Sequence, residues 1–164
     1  MRKAAAVITG LAGLGLALTP AGAQAAPGGN RTEVEFSGTF VVNDLCDFPI
    51  TIDAQATGFL VEVETGKGSI LRGHLNETDV FSANGVSLEG AYTFGVKNTF
   101  DEDGDLVKAV QTGVIVRVAL PNGETFKVAG RADALAQEGD FIAAPTNGVT
   151  RNLDGLCAAL SGEG

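Results

Sequence analysis

The stretch Glu33-Val34-Glu35-Phe36-Ser37-Gly38-Thr39-Phe40-Val41-Val42 decides the class of fold. Val34, Phe36, Phe40 and Val42 take even positions while Glu33, Glu35, Ser37 and Thr39 take odd ones. A period of two places these sets on opposite faces of a half-buried strand. The same period recurs outward from this segment. Ile50, Ile52, Ala54 and Ala56 alternate with Thr51, Asp53, Gln55 and Thr57. Beyond Gly58 the apolar set moves to odd numbers at Phe59, Val61 and Val63, and one extra residue at a glycine predicts a β-bulge.

Gly66 to Gly68 reads as a turn, followed by a weaker strand from Ser69 to Leu75 and its expected partner from Glu77 to Ser82. Asn84-Gly85 is a strong hairpin signal, because both turn residues must adopt positive φ. It leads into a strand with Val86, Leu88, Tyr92, Phe94 and Val96 on one face. After the acidic run Asp101-Glu102-Asp103-Gly104-Asp105 comes a long strand in which Val110, Thr112, Val114, Val116, Val118 and Leu120 are expected to face one way. Pro121-Asn122-Gly123 turns the chain into Phe126, Val128, Gly130 and Ala132. Gln137 to Asn152 reads as a loop that Phe141-Ile142 anchors. Leu153, Leu156, Cys157 and Leu160 then follow helical spacing, with Asn152 as the expected N-cap.

Short turns favour antiparallel pairing, and no helices alternate with the strands, so the chain is expected to be all-β. Gly38, Gly58, Gly73, Gly90, Gly113 and Gly130 fall inside strands, where glycine marks bends. Repeated bends suit closure. The expected architecture is therefore an antiparallel barrel of seven or eight strands with a short C-terminal helix, and a β-sandwich is the alternative.

Ahead of the first strand stand Arg2 and Lys3, an uncharged run from Ala4 to Leu18, and small residues ending in Ala23-Gln24-Ala25. This is the layout of a secretory signal peptide over residues 1–25. A flexible Pro/Gly tail over 26–31 and a single β domain over 32–164 are expected to follow. No segment has the length of a membrane span, which needs about 20 apolar residues. The protein is expected outside the cell or in the cell wall, with an extracellular or cell-surface partner. Removal of the signal, which carries two bases and no acid, takes the formal charge from −9 to −11. That charge disfavours nucleic acid and anionic membrane surfaces, and no window of sequence carries a cluster of bases.

Cys46 and Cys157 are the two cysteines of the chain, and in an oxidising compartment they are expected to pair. Asp101, Asp103 and Asp105 offer oxygen ligands within one loop, as a calcium site does, but Gly104 and Thr112 stand where an EF-hand needs other residues. An acidic turn is the preferred reading, and neither a metal nor a cofactor is expected. His74, the one histidine, is placed outward beside Arg72. No nucleophile motif accompanies it, so no catalytic residues are assigned.

The signal-like start, the Ala/Gly-rich composition and the Cys46-Asp47-Phe48-Pro49 step into a strand resemble small secreted all-β proteins of actinobacteria that have no assigned function. The resemblance implies export and an all-β domain and transfers no site residue. The expected function is that of a secreted, non-enzymatic binding or interaction domain. The alternative is a small β-barrel that carries an apolar ligand inside a lining of Phe36, Phe40, Tyr92, Phe94, Val114 and Phe126.

Overall fold

The computed structural model describes residues 31–135 and 145–162. Seven strands run in chain order: β1 (Arg31–Val42), β2 (Ile50–Thr65), β3 (Gly68–Ala83), β4 (Val86–Phe100), β5 (Leu106–Ala119), β6 (Thr125–Asp133) and β7 (Asn147–Arg151). A helix, α1 (Leu153–Leu160), follows. Each strand pairs antiparallel with its neighbours in sequence, giving one sheet in the order β1 to β7. The expected signal peptide, most of the tail and the Phe141-Ile142 anchor lie outside the described residues. Arg31, expected in the tail, opens β1.

The all-β class stands, but the barrel does not. β1 pairs with β2 and β7 with β6, and no ladder joins β1 to β7 among the described residues. Nor is this a sandwich, since the strands belong to one continuous sheet.

One end is closed by packing. Phe81, Ile50, Phe126, Val118 and Val128 project from the inner face, and Leu156 and Leu160 of α1 complete this fully buried cluster. The leucine spacing thus produced the helix it implied. A disulfide joins Cys46, before β2, to Cys157 on α1 across 111 residues, with Cα atoms 5.6 Å apart. The Asn84-Gly85 turn forms with φ of 50° and 80°, and the Asn84 amide donates to the Leu160 carbonyl at 3.1 Å, satisfying a helix-end acceptor. Asn152 sits at the helix start in a left-handed conformation and makes no side-chain cap. Its amide instead donates to Glu124 Oε2 at 2.9 Å.

Four strand expectations are corrected. β3 is one strand of 16 residues rather than two. Residues 147–151, expected in a loop, form β7. Pairing on both sides of Gly58 is continuous, so there is no bulge there. Register shifts lie instead in β5, where Ile115 is an extra residue relative to β6, and relative to β4 one extra residue falls between Gly113 and Val118 and another at Val107. The Ile115 insertion overturns the expected common face of β5: Val116 and Val118 pack inward, while Val110 and Thr112 pair with the outward-facing Lys97 and Gly95.

Candidate functional site

The outer face of the sheet carries a groove of about 720 Å³. Register builds it. Across β2 to β6, Phe59 pairs with His74, His74 with Gly95, Gly95 with Thr112, and Thr112 with Arg131, which makes one row. A second row, two residues along each strand, runs Val61, Arg72, Lys97, Val110 and Asp133. Lys108, opposite Thr99, stands at the next step.

The floor is low because Gly95 has no side chain at its centre. A Cβ there would come within 2.9 Å of Thr112 Oγ1 and 3.7 Å of His74 Cε1. Gly73 lets β3 approach β2 closely beside the groove, since a Cβ on it would collide with the Phe59 carbonyl. Phe59 and Val61 form one wall, and the Arg31 guanidinium stacks 3.8 Å from the centre of the Phe59 ring.

Arg72, Lys97, Lys108 and Arg131 are all exposed, all line this groove, and none makes a salt bridge among the described residues. The cluster is notable on a chain with 20 acids against 11 bases. Arg72 and Lys97 are direct cross-strand partners, and like charges so placed destabilise a sheet. The face can therefore hold an anion, which would relieve that repulsion. His74 is exposed beside Arg72, as its alternation implies.

No linear window reveals this cluster, because its bases come from four strands. A signal was nonetheless present in β2. Phe59 and Val61, whose odd positions suggest a bulge, face outward in an unshifted strand and form the groove wall.

On the inner face of β3 and β4 the chemistry is acidic. Glu77 pairs across the ladder with Tyr92, and Asp79 lies two residues along at only 2 % exposure. The Tyr92 hydroxyl donates to Asp79 Oδ2, and Glu77 Oε1 lies 3.2 Å from the same hydroxyl. Ala54 and Ala56 face the carboxyls from β2 and offer no side-chain partner. Burial, then the Asp79 charge and a hydrogen bond between the two carboxyls, raises Glu77 from 4.5 to about 8. Burial also raises Asp79, while hydrogen bonds from Tyr92 and Glu77 pull it back. Burial and both carboxylates push Tyr92 well above its ordinary value, so the phenol stays a neutral donor. At neutral pH Glu77 therefore holds its proton. Asp79 Oδ1 is buried without another partner in the structure, and a proton on Glu77 supplies the pair with a donor.

Five of the six residues expected to line an interior ligand site reach the inner face, whereas Val114, which pairs with Ala129 ahead of the Ile115 insertion, stands on the face of Thr112 and Arg131. Tyr92, Phe94 and Phe126 are buried, and Phe36 and Phe40 pack against the core part-buried. None of the six lines the groove. In the acidic turn, Asp101 Oδ1 accepts from the backbone N–H groups of Asp103 at 3.0 Å and Asp105 at 2.9 Å, which organises the loop. No group of three or more His, Cys, Asp or Glu side chains is placed to hold a metal among the described residues. No described helix is long and apolar enough to cross a membrane.

In comparisons with protein-family models, curated proteins and solved structures, nothing matches the chain. The fold and the groove together are those of an all-β domain with a basic groove on its outer face.

Proposed function

We propose that the protein is a secreted, non-enzymatic binding domain whose outer-face groove takes an anionic ligand in the extracellular space or cell wall. The observation that carries this reading is the convergence of Arg72, Lys97, Lys108 and Arg131, without a salt bridge among the described residues, on one hollow of a protein with 20 acids against 11 bases. Its volume falls within the range of about 300–1,000 Å³ in which small ligands are held. Short-range attraction there outweighs the net charge of the whole chain, whose field is screened over about 8 Å at physiological salt. The disulfide supports an oxidising compartment.

Calorimetric titration with inorganic tripolyphosphate tests the reading. Arg72→Gln/Lys97→Gln is expected to weaken binding at least tenfold while leaving stability within about 0.5 kcal/mol, because it removes exposed like charges and little packing. Absence of binding to the unmodified protein at low salt, or equal binding by the double variant, overturns the proposal.

A further inference from the structure

Resting on the groove reading, the geometry points to a ligand with two separate oxyanion groups, one over each row of the groove, rather than a single anion. Arg72 and Lys97 are cross-strand neighbours, with Cβ atoms about 5 Å apart on one face. Two long cationic side chains from adjacent strands converge on one anion at that spacing. The other row presents different donors. There Thr112 and His74 flank the vacant side-chain position of Gly95, and Arg131 follows on β6 as the partner of Thr112. A hydroxyl and an imidazole thus border the low floor at Gly95, and a guanidinium on the next strand lines the same groove.

The two rows are separated by two residues along each strand, which is about 7 Å in an antiparallel sheet. A single tetrahedral anion seated between Arg72 and Lys97 leaves the Thr112 and Arg131 end unoccupied. The same anion seated at Gly95 leaves the Arg72–Lys97 repulsion in place. Two linked oxyanions satisfy both. Phe59 does not redirect this choice towards an aromatic ligand, since Arg31 already covers one face of its ring.

The test compares inorganic phosphate with tripolyphosphate, titrated into the full mature chain in metal-free buffer at one fixed ionic strength. Three variants separate the rows from bulk charge: Arg72→Gln, Arg131→Gln and, outside the groove, Arg117→Gln. Arg131→Gln is expected to lower tripolyphosphate affinity at least fivefold and to leave phosphate affinity unchanged, while Arg72→Gln weakens both. Arg117→Gln should alter neither. Equal losses for both probes in Arg131→Gln, or a loss in Arg117→Gln as large as in Arg131→Gln, overturn the two-anion inference but leave a single-anion groove standing. If neither probe binds the unmodified chain, the groove reading falls as well.

Discussion

β3 and β4 carry charge on both faces and treat it in opposite ways. Inward, Glu77 holds its proton beside Asp79 and the Tyr92 hydroxyl, among alanines and core aromatics. Outward, Arg72 and Lys97 stand side by side in solvent with no carboxylate in salt-bridge reach among the described residues. Buried like charges are tolerable because one of them is neutralised by a proton. Exposed like charges are tolerable because water screens them, and that leaves them available to a ligand. The inner pair is thus read as part of the structure and the outer set as a site.

The largest expected effect concerns what holds the inner face together. Replacing both cysteines, Cys46→Ser/Cys157→Ser, is expected to cost about 4–5 kcal/mol, the chain-entropy value for a loop of about 100 residues. Urea denaturation of the oxidised protein and the double variant measures it, and an unchanged midpoint would remove the staple from the account.

A paired truncation sharpens the contrast between faces. Phe81→Ala empties a fully buried site and should cost about 3–5 kcal/mol. Phe59→Ala, on the groove wall, loses part-buried area and the Arg31 contact and should cost under about 1.5 kcal/mol. Similar losses in both would mean that the outer face is core rather than surface.

A further contrast is the pH dependence of the inner pair. With its folded value at about 8 against an ordinary 4.5, Glu77 binds its proton more tightly in the folded chain than in the unfolded one. Its contribution to stability is complete below about pH 4.5 and is lost as pH rises towards 8. Tm should therefore fall between pH 5 and 8.5, and Glu77→Gln, neutral throughout, should flatten that part of the profile. A native slope identical to that of the variant would show that the pair does not hold the proton assigned to it.

Much of the scaffold was legible from local pattern. Alternation in β1 and β4, the Asn84-Gly85 turn, the leucines of α1 and the Cys46–Cys157 pairing all rest on residues near in sequence or few in number. The errors have physical causes. β3 looked like two strands because Glu77 and Asp79 occupy inner positions where apolar residues were expected, and only the Tyr92 hydroxyl and the proton on Glu77 make them tolerable there. β2 looked shifted because Phe59 and Val61 are apolar on the outer face. β5 looked unbroken because Ile115 and Val116, adjacent and both buried, conceal an inserted residue among many valines. Through that insertion, Thr112 and Val110 enter the groove rather than the core.

What the residue order dictates unaided is the strand period, the turn chemistry, the acidic balance and a single cysteine pair, since each depends on side chains within a few positions or on composition. Tertiary structure alone decides that the sheet stays open, that two carboxyls face inward beside a tyrosine, and that Arg72, Lys97, Lys108 and Arg131 meet. Those outcomes depend on register between strands. A shift of one residue turns every side chain of a strand to the other face, so neighbours in space are chosen by pairing rather than by proximity in the chain.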